Sequence, residues 1–195
     1  GMIALSDTIR PEAREAIAQL NAMGIETVMI TGDNEGAARL IAKDAGISSI
    51  KAQVLPQDKH RAVEEFKENG RIVAMVGDGI NDAPALAGAN VGIALSSGTD
   101  VAAESSGIIL MREDLHAVVD SLKLARQTMR IIRENLFWAF IYNMIGIPIA
   151  AGLLVLFGGP AFSPVFGGAA MAFSSVSVVT NSLRLTRYQP DKSKK

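Results

Sequence analysis

The sequence predicts an α/β fold: an incomplete, doubly wound parallel sheet, followed by a long stalk helix and a hairpin of two apolar helices. Three observations carry this expectation. Short apolar runs alternate with amphipathic stretches of about ten residues through the first 115 positions, a rhythm that implies parallel strands joined by right-handed crossovers. From Leu136 the chain turns into two long uncharged runs. The charges divide at much the same place: residues 1–115 carry ten Lys/Arg against seventeen Asp/Glu, and residues 116–195 carry nine against three. An acidic front and a basic, apolar back indicate two different surroundings.

The elements follow in order. "MIAL" reads as a strand ending at Ser6-Asp7, and Pro11 suits the first turn of a helix over Glu12–Ala22. "ETVMI" is a second strand, followed directly by "TGDN". A helix over Glu35–Ala45 closes at Gly46, the residue type that best tolerates a left-handed C-terminal cap. "KAQVL" is a brief strand, Gln57–Asn69 an amphipathic helix ended by Gly70, and "RIVAMV" a buried strand. "VGIAL" and "GIIL" are further strands, with a small helix near Val101–Ser105 between them. Residues 1–113 thus form one α/β domain and 114–135 a stalk helix with bases at Lys123, Arg126, Arg130 and Arg133.

Leu136–Phe157 is free of charge over 22 residues, more than the roughly 20 that span hydrocarbon as a helix. It is expected to be one transmembrane helix, 158–163 a non-cytoplasmic turn, 164–183 a second transmembrane helix and 184–195 a cytoplasmic tail. Bases flank the pair on both outer ends, which by the positive-inside rule places both ends in the cytoplasm. With no cysteine, disulfides and thiolate ligands are excluded. No basic region followed by an apolar core opens the sequence, so no signal peptide is expected.

Two loops carry candidate chemistry. In "VGDGINDAPAL" Asp78 stands between glycines directly after a strand, where its carboxylate can serve Mg²⁺, a cation that takes one or two carboxylates plus phosphate oxygens. Asp82 reads either as a cap of the helix beginning at Ala83-Pro84 or as a group orienting the metal or Asn81. Thr31, Gly32 and Asp33 offer a hydroxyl, a close backbone approach and an acid. Lys59 can neutralise a phosphoryl oxygen as a compact cation, although taken singly it reads as a solvated surface lysine. His60 and His116 are read as surface or interface residues. In parallel sheets ligands bind beyond the carboxyl ends of the strands, where both loops fall.

In combination these motifs resemble those of a known family. Thr31-Gly32-Asp33, then Lys59, then Gly77-Asp78-Gly79-Ile80-Asn81-Asp82-Ala83-Pro84 resemble the haloacid-dehalogenase-like phosphorylation domain of P-type ATPases. The resemblance implies that Thr31 and Lys59 contact the phosphoryl group, that Asp78 binds Mg²⁺ with Asp82 and Asn81 supporting it, and that Asp33 and Asp7 lie near the nucleotide or the site edge. The family's nucleophile motif, Asp-Lys-Thr-Gly-Thr, is absent. The chain therefore resembles the C-terminal portion of such a pump and is not expected to autophosphorylate alone. The resemblance implies ATP bound largely by upstream sequence, and partners comprising the upstream part of the pump or its separate chain, the lipid bilayer and a copper chaperone, with no nucleic acid.

The apolar helices carry a second set of candidates. Met171, Ser174 and Ser175 recur at i, i+3 and i+4 and share a helical face, while Tyr142-Asn143 precedes Pro148, which frees the carbonyl of Met144. Ordinary helix packing is the plainer reading of both groups. Tyr-Asn in one helix and Met-x-x-Ser-Ser in the next are similar to the last two helices of copper-transporting P-type ATPases, which implies that Tyr142, Asn143, Met171, Ser174 and Ser175 line the path of transported Cu(I). A thioether favours that soft ion. The expected whole is an ATP-driven copper export pump of a bacterial or archaeal plasma membrane. The alternative is a truncated, noncatalytic membrane protein that regulates or assembles with a partner ATPase.

Overall fold

Helices and strands alternate along the first part of the chain, and every strand pairing among the described residues is parallel. The computed structural model describes residues 9–77, 80–95, 104–112, 114–160 and 163–189. The chain divides into two compact units, Gly1–Asp120 and Ser121–Lys195.

In the first unit α1 (Pro11–Ala22) starts on a proline and leads to β1 (Val28–Ile30). Helix α2 (Glu35–Ala45) is capped at its start by Asn34, whose side chain accepts from the Ala37 N–H, and at its end by Gly46 at φ 78°. Strand β2 is Ser49–Lys51 rather than the later "KAQVL", because Gln53 adopts φ 56° and the chain leaves the extended region there. A 3₁₀ turn, Pro56–Asp58, opens α3 (Lys59–Glu68). Strand β3 (Ala74–Gly77) starts late, with Ile72 88% exposed, and is followed by α4 (Ala83–Gly88), β4 (Val91–Leu95) and β5 (Ile108–Leu110).

The expected single sheet is two sheets among the described residues: β1 pairs β2, and β3, β4 and β5 lie in that order. The strand expected at "MIAL" and most of the small helix near Val101–Ser105 fall outside the described residues. The core is built largely from alanine. Ala38, Ala42 and Ala45 on α2 are buried, as are Ala16 and Ile17 on α1, which lies against it. On the second sheet Leu86 of α4 packs with Ala94 and Met75. Small side chains let helices approach closely at modest burial, about 25 cal/mol for each Å² of apolar surface removed from water.

Helix α5 (Leu115–Ala150) begins at Asp114, whose carboxylate accepts from the Ala117 N–H at 2.8 Å. Arg112 reaches the same carboxylate at 2.9 Å. Partial burial favours the neutral acid, but the Ala117 bond, the Arg112 fork and the charge of His116 outweigh it and hold Asp114 below the usual carboxylate range.

The expected transmembrane hairpin is corrected. Leu136–Phe157 does not form one spanning helix: α5 stops at Ala150, the chain turns at Gly152 with φ 96°, and α6 (Leu153–Leu156) is a single turn. At a rise of about 1.5 Å per residue, the helical part beyond Leu136 falls well short of the ~30 Å of a hydrocarbon core. Helix α7 (Pro164–Ser182) includes Gly167, Gly168 and, toward its end, Thr180, Asn181 and Ser182, which dilute its apolar character. No helix among the described residues is long and apolar enough to cross a membrane.

Within the second unit α5 and α7 are joined by polar side chains. Asn181 donates to Asn135 at 2.9 Å and to Glu134 at 3.3 Å, and Asn135 donates to Ser182 at 2.9 Å. Arg184, in the 3₁₀ turn that follows α7, donates to Glu134 at 3.0 Å.

Candidate active site

The first unit gathers its candidate groups at the carboxyl ends of its strands. Thr31 follows β1, the 52–55 segment follows β2, and Asp82 lies just beyond β3. Backbone bonds strap the first two together: the Thr31 N–H donates to Lys51 O at 2.9 Å, the Gln53 N–H to Asp33 O at 2.9 Å and the Val54 N–H to Thr31 O at 3.0 Å. The strap leads through Pro56–Asp58 to Lys59, the first residue of α3.

Lys59 Nζ donates to Asp82 Oδ1 at 2.7 Å. The two side chains are largely buried, and Asp82, 8% exposed, is the one charged residue in the core of the described residues. The pair removes one local reading of each residue. Asp82 occupies the N-cap position of α4 but makes no side-chain cap, because its carboxylate turns to the lysine. Lys59 is no solvated surface lysine. Ionised groups this deep persist only when paired, since an uncompensated charge would shift its protonation or unfold its surroundings.

Gly77 makes the approach possible. A Cβ there would stand 2.8 Å from both Cβ and Oδ2 of Asp82, closer than atoms tolerate. The sequence pattern assigned no role to Gly77, yet its place as the last residue of a strand before an acidic loop was the available signal. The Gln53 turn likewise left no trace in the pattern of residue types.

Thr31 Oγ1 donates to Asp33 Oδ2 at 2.8 Å and accepts from the Asp33 N–H at 3.2 Å, so threonine and acid form a closed local pair. Asn81 is exposed beside Asp82, and Gly32 places its backbone near Val54 O. Asp78 and Asp7 lie outside the described residues. His60 packs on Gly88, with Nε2 3.3 Å from Glu64, and His116 Nε2 lies 3.7 Å from Glu15. An open cleft of about 630 Å³ borders the strap at Gln53 and Val54 and is lined further by Glu35, Arg39 and Lys51. It does not include the Lys59–Asp82 pair.

The donors at this corner are hard oxygens and an ammonium, a set suited to a phosphate with Mg²⁺ rather than to a soft metal. Among the described residues no three acidic or histidine side chains converge on one point. A cation here would draw on Asp82 together with a ligand from the adjoining loop.

The candidates of the second unit stay within their own helices. Asn143 Nδ2 donates to Ala139 O at 3.0 Å and Ser175 Oγ to Met171 O at 3.2 Å. Tyr142 and Ser174 are half-buried, and Met171 is 75% exposed.

Residues 1–90 match the family described as haloacid dehalogenase-like hydrolase. Over those residues the α/β unit is similar to that family. Over nearly its whole length the chain is also homologous to named pumps. It is 52% identical over 189 residues to the probable copper-transporting ATPase PacS of Synechocystis sp., covering 97% of this chain and 25% of that protein. It is 53% identical over 191 residues to the probable copper-exporting P-type ATPase V of Mycobacterium tuberculosis, covering 98% of this chain and 24% of that one. The chain thus spans about a quarter of the length of the curated relatives it matches. Among solved structures, a zinc-transporting PIB-type ATPase in the E2.Pi state superposes with a TM-score of 0.81 at 41% identity, over 93% of this chain and 29% of that one.

Proposed function

We propose that this chain is the C-terminal part of an ATP-driven, copper(I)-exporting P-type pump, and that the Lys59–Asp82 corner serves its aspartyl-phosphate site. The single observation that carries the reading is the buried 2.7 Å pair between Lys59 and Asp82. In this reading Lys59 neutralises a phosphoryl oxygen, Thr31 donates its hydroxyl to another, and Asp82 holds the lysine in place between turnovers. Mg²⁺, held chiefly by Asp78, would supply charge neutralisation for the transferred group. The nucleophilic aspartate belongs to sequence outside this chain, since phosphoryl transfer to a carboxylate needs an in-line nucleophile beside the site. Asn81 and Asp33 support the loops.

Copper is favoured over zinc as cargo, although a solved relative is described as zinc-transporting. Both curated relatives above are named for copper. Neither Leu136–Phe157 nor Pro164–Leu183 contains Asp or Glu, and Met171 offers a thioether to a soft ion. Tyr142, Asn143, Ser174 and Ser175 complete the proposed path. The pump as a whole is membrane-embedded in this reading, with the haloacid dehalogenase-like unit in the cytoplasm.

The test is reconstitution. Coexpression with an upstream half from a matching pump should restore Cu(I)-stimulated ATP hydrolysis, and Lys59→Ala should lower kcat by about a hundredfold, as loss of one electrostatic stabiliser does. Unchanged turnover in a folded Lys59→Ala variant removes Lys59 from the site.

A further inference from the structure

We propose that an arginine belt at one end of the α5–α7 pair binds the headgroups of anionic phospholipids; this rests on the membrane reading above and adds a lipid preference to it. Arg126, Arg130 and Arg133 recur at i, i+4 and i+7 on α5, one face of the helix, just before the apolar run begins at Leu136. Arg184 and Arg187 follow α7. The two groups lie at one level, because Arg184 reaches Glu134 at 3.0 Å and Asn181 reaches Asn135 at 2.9 Å.

Among the described residues Glu134 is the one acid within this belt, against five arginines. It is already shared between Arg130 at 3.1 Å and Arg184 at 3.0 Å. Partial desolvation disfavours its charge, but bonds from Asn181 and Arg130 and the charges of both arginines outweigh that and hold it below the usual carboxylate range. It therefore stays ionised and cannot also neutralise Arg133 and Arg187. Those two are exposed and pair with no acid among the described residues.

What lies beyond the belt identifies the occupant. Phe137 and Trp138 come first, edge to face with centroids 5.6 Å apart, and both are exposed. Phe140, Met144 (72% exposed) and Ile147 continue the apolar surface on α5. Positive charge, then amphipathic aromatics, then aliphatics is the order of groups across a lipid interface from headgroup to acyl chain. An apolar protein partner would satisfy the aliphatic part and leave the cationic rim unmatched. Anionic headgroups match both.

The full chain, purified in detergent and exchanged onto vesicles, tests this by flotation. Partition should be stronger onto phosphatidylcholine vesicles containing phosphatidylserine than onto phosphatidylcholine alone, and the difference should shrink as salt is raised. The double variant Arg133→Gln/Arg187→Gln should lose about thirtyfold in partition onto the anionic vesicles, roughly fivefold per arginine. Its partition onto neutral vesicles should be unchanged, and Arg133→Lys/Arg187→Lys should behave as the parent. Equal partition of the parent chain onto both vesicles, or a glutamine variant that keeps the preference, overturns the proposal while leaving membrane association standing. Partition onto neither kind overturns the membrane reading itself.

Discussion

At Gly77 the absence of a side chain governs how a charge is held. Asp82 sits where a Cβ on residue 77 would stand, at 2.8 Å, and from there its Oδ1 meets Lys59. Gly77→Ala must push Asp82 aside and so leaves Lys59 with a weakened partner in a largely buried place. The expected cost is about 1–3 kcal/mol for the overpacking, read as a lower urea midpoint without a change in slope. In an Asp82→Gly background, which removes the Cβ as well as the carboxylate, the clash is gone, and Gly77→Ala should then cost under about 1 kcal/mol, since one helix-free backbone position merely gains a methyl. Equal losses in the two backgrounds would mean that Gly77 matters for some reason other than Asp82.

Element ends carry the pH dependence. Helix α5 starts on Asp114, ionised and bonded to the Ala117 N–H, where a negative charge also meets the favourable end of the helix dipole. Its carboxyl is held below the ordinary value in the folded chain, so the unfolded state takes up a proton first as the solution is acidified. The stabilisation is therefore fully present above the unfolded value near pH 4 and is lost as pH falls through the lower folded one. Asp114→Ala should cost about 1 kcal/mol at neutral pH and flatten the acid limb of a melting-temperature profile. A variant whose acid limb matched the parent's would show that other carboxylates set it. Helix ends of this kind are readable in advance. Glu35–Ala45, closing at Gly46, appears as the sequence predicts, and the structure adds the Asn34 cap at its start, because capping is chemistry between near neighbours.

The whole molecule sets the polar junction between α5 and α7. Asn135 and Asn181 are separated by 46 positions, and their 2.9 Å bond, with Glu134 and Arg184 beside it, ties the two helices at one level. A double-mutant cycle of Asn135→Ala and Asn181→Ala in detergent should give a coupling of about 1 kcal/mol in thermal unfolding, the usual worth of one side-chain hydrogen bond plus its desolvated neighbours. Additive losses would mean that the two amides act separately. Breaking the junction is expected to loosen the arginine belt as well, since Arg184 is placed by the same contacts.

The sequence alone determined whatever depends on near neighbours and on residue type. Strand–helix alternation implied a parallel α/β fold, and Thr31, Lys59 and Asp82 stood out as a set because their order resembles that of the phosphorylation domain of P-type ATPases. Tertiary structure decided the rest. Asp82 reads from sequence as a helix cap or as a group orienting a metal or Asn81; in the fold its carboxylate leaves the cap and meets Lys59, 23 positions away, because a buried carboxylate is stabilised far more by an ammonium than by one more amide. The "KAQVL" strand moved earlier because the loop after Lys51 had to bend back and bond Thr31 and Asp33. The apolar run from Leu136 looked continuous because hydropathy sums over residues and ignores φ. A left-handed Gly152 ends the helix all the same, and only the folded backbone reveals which glycine takes that conformation.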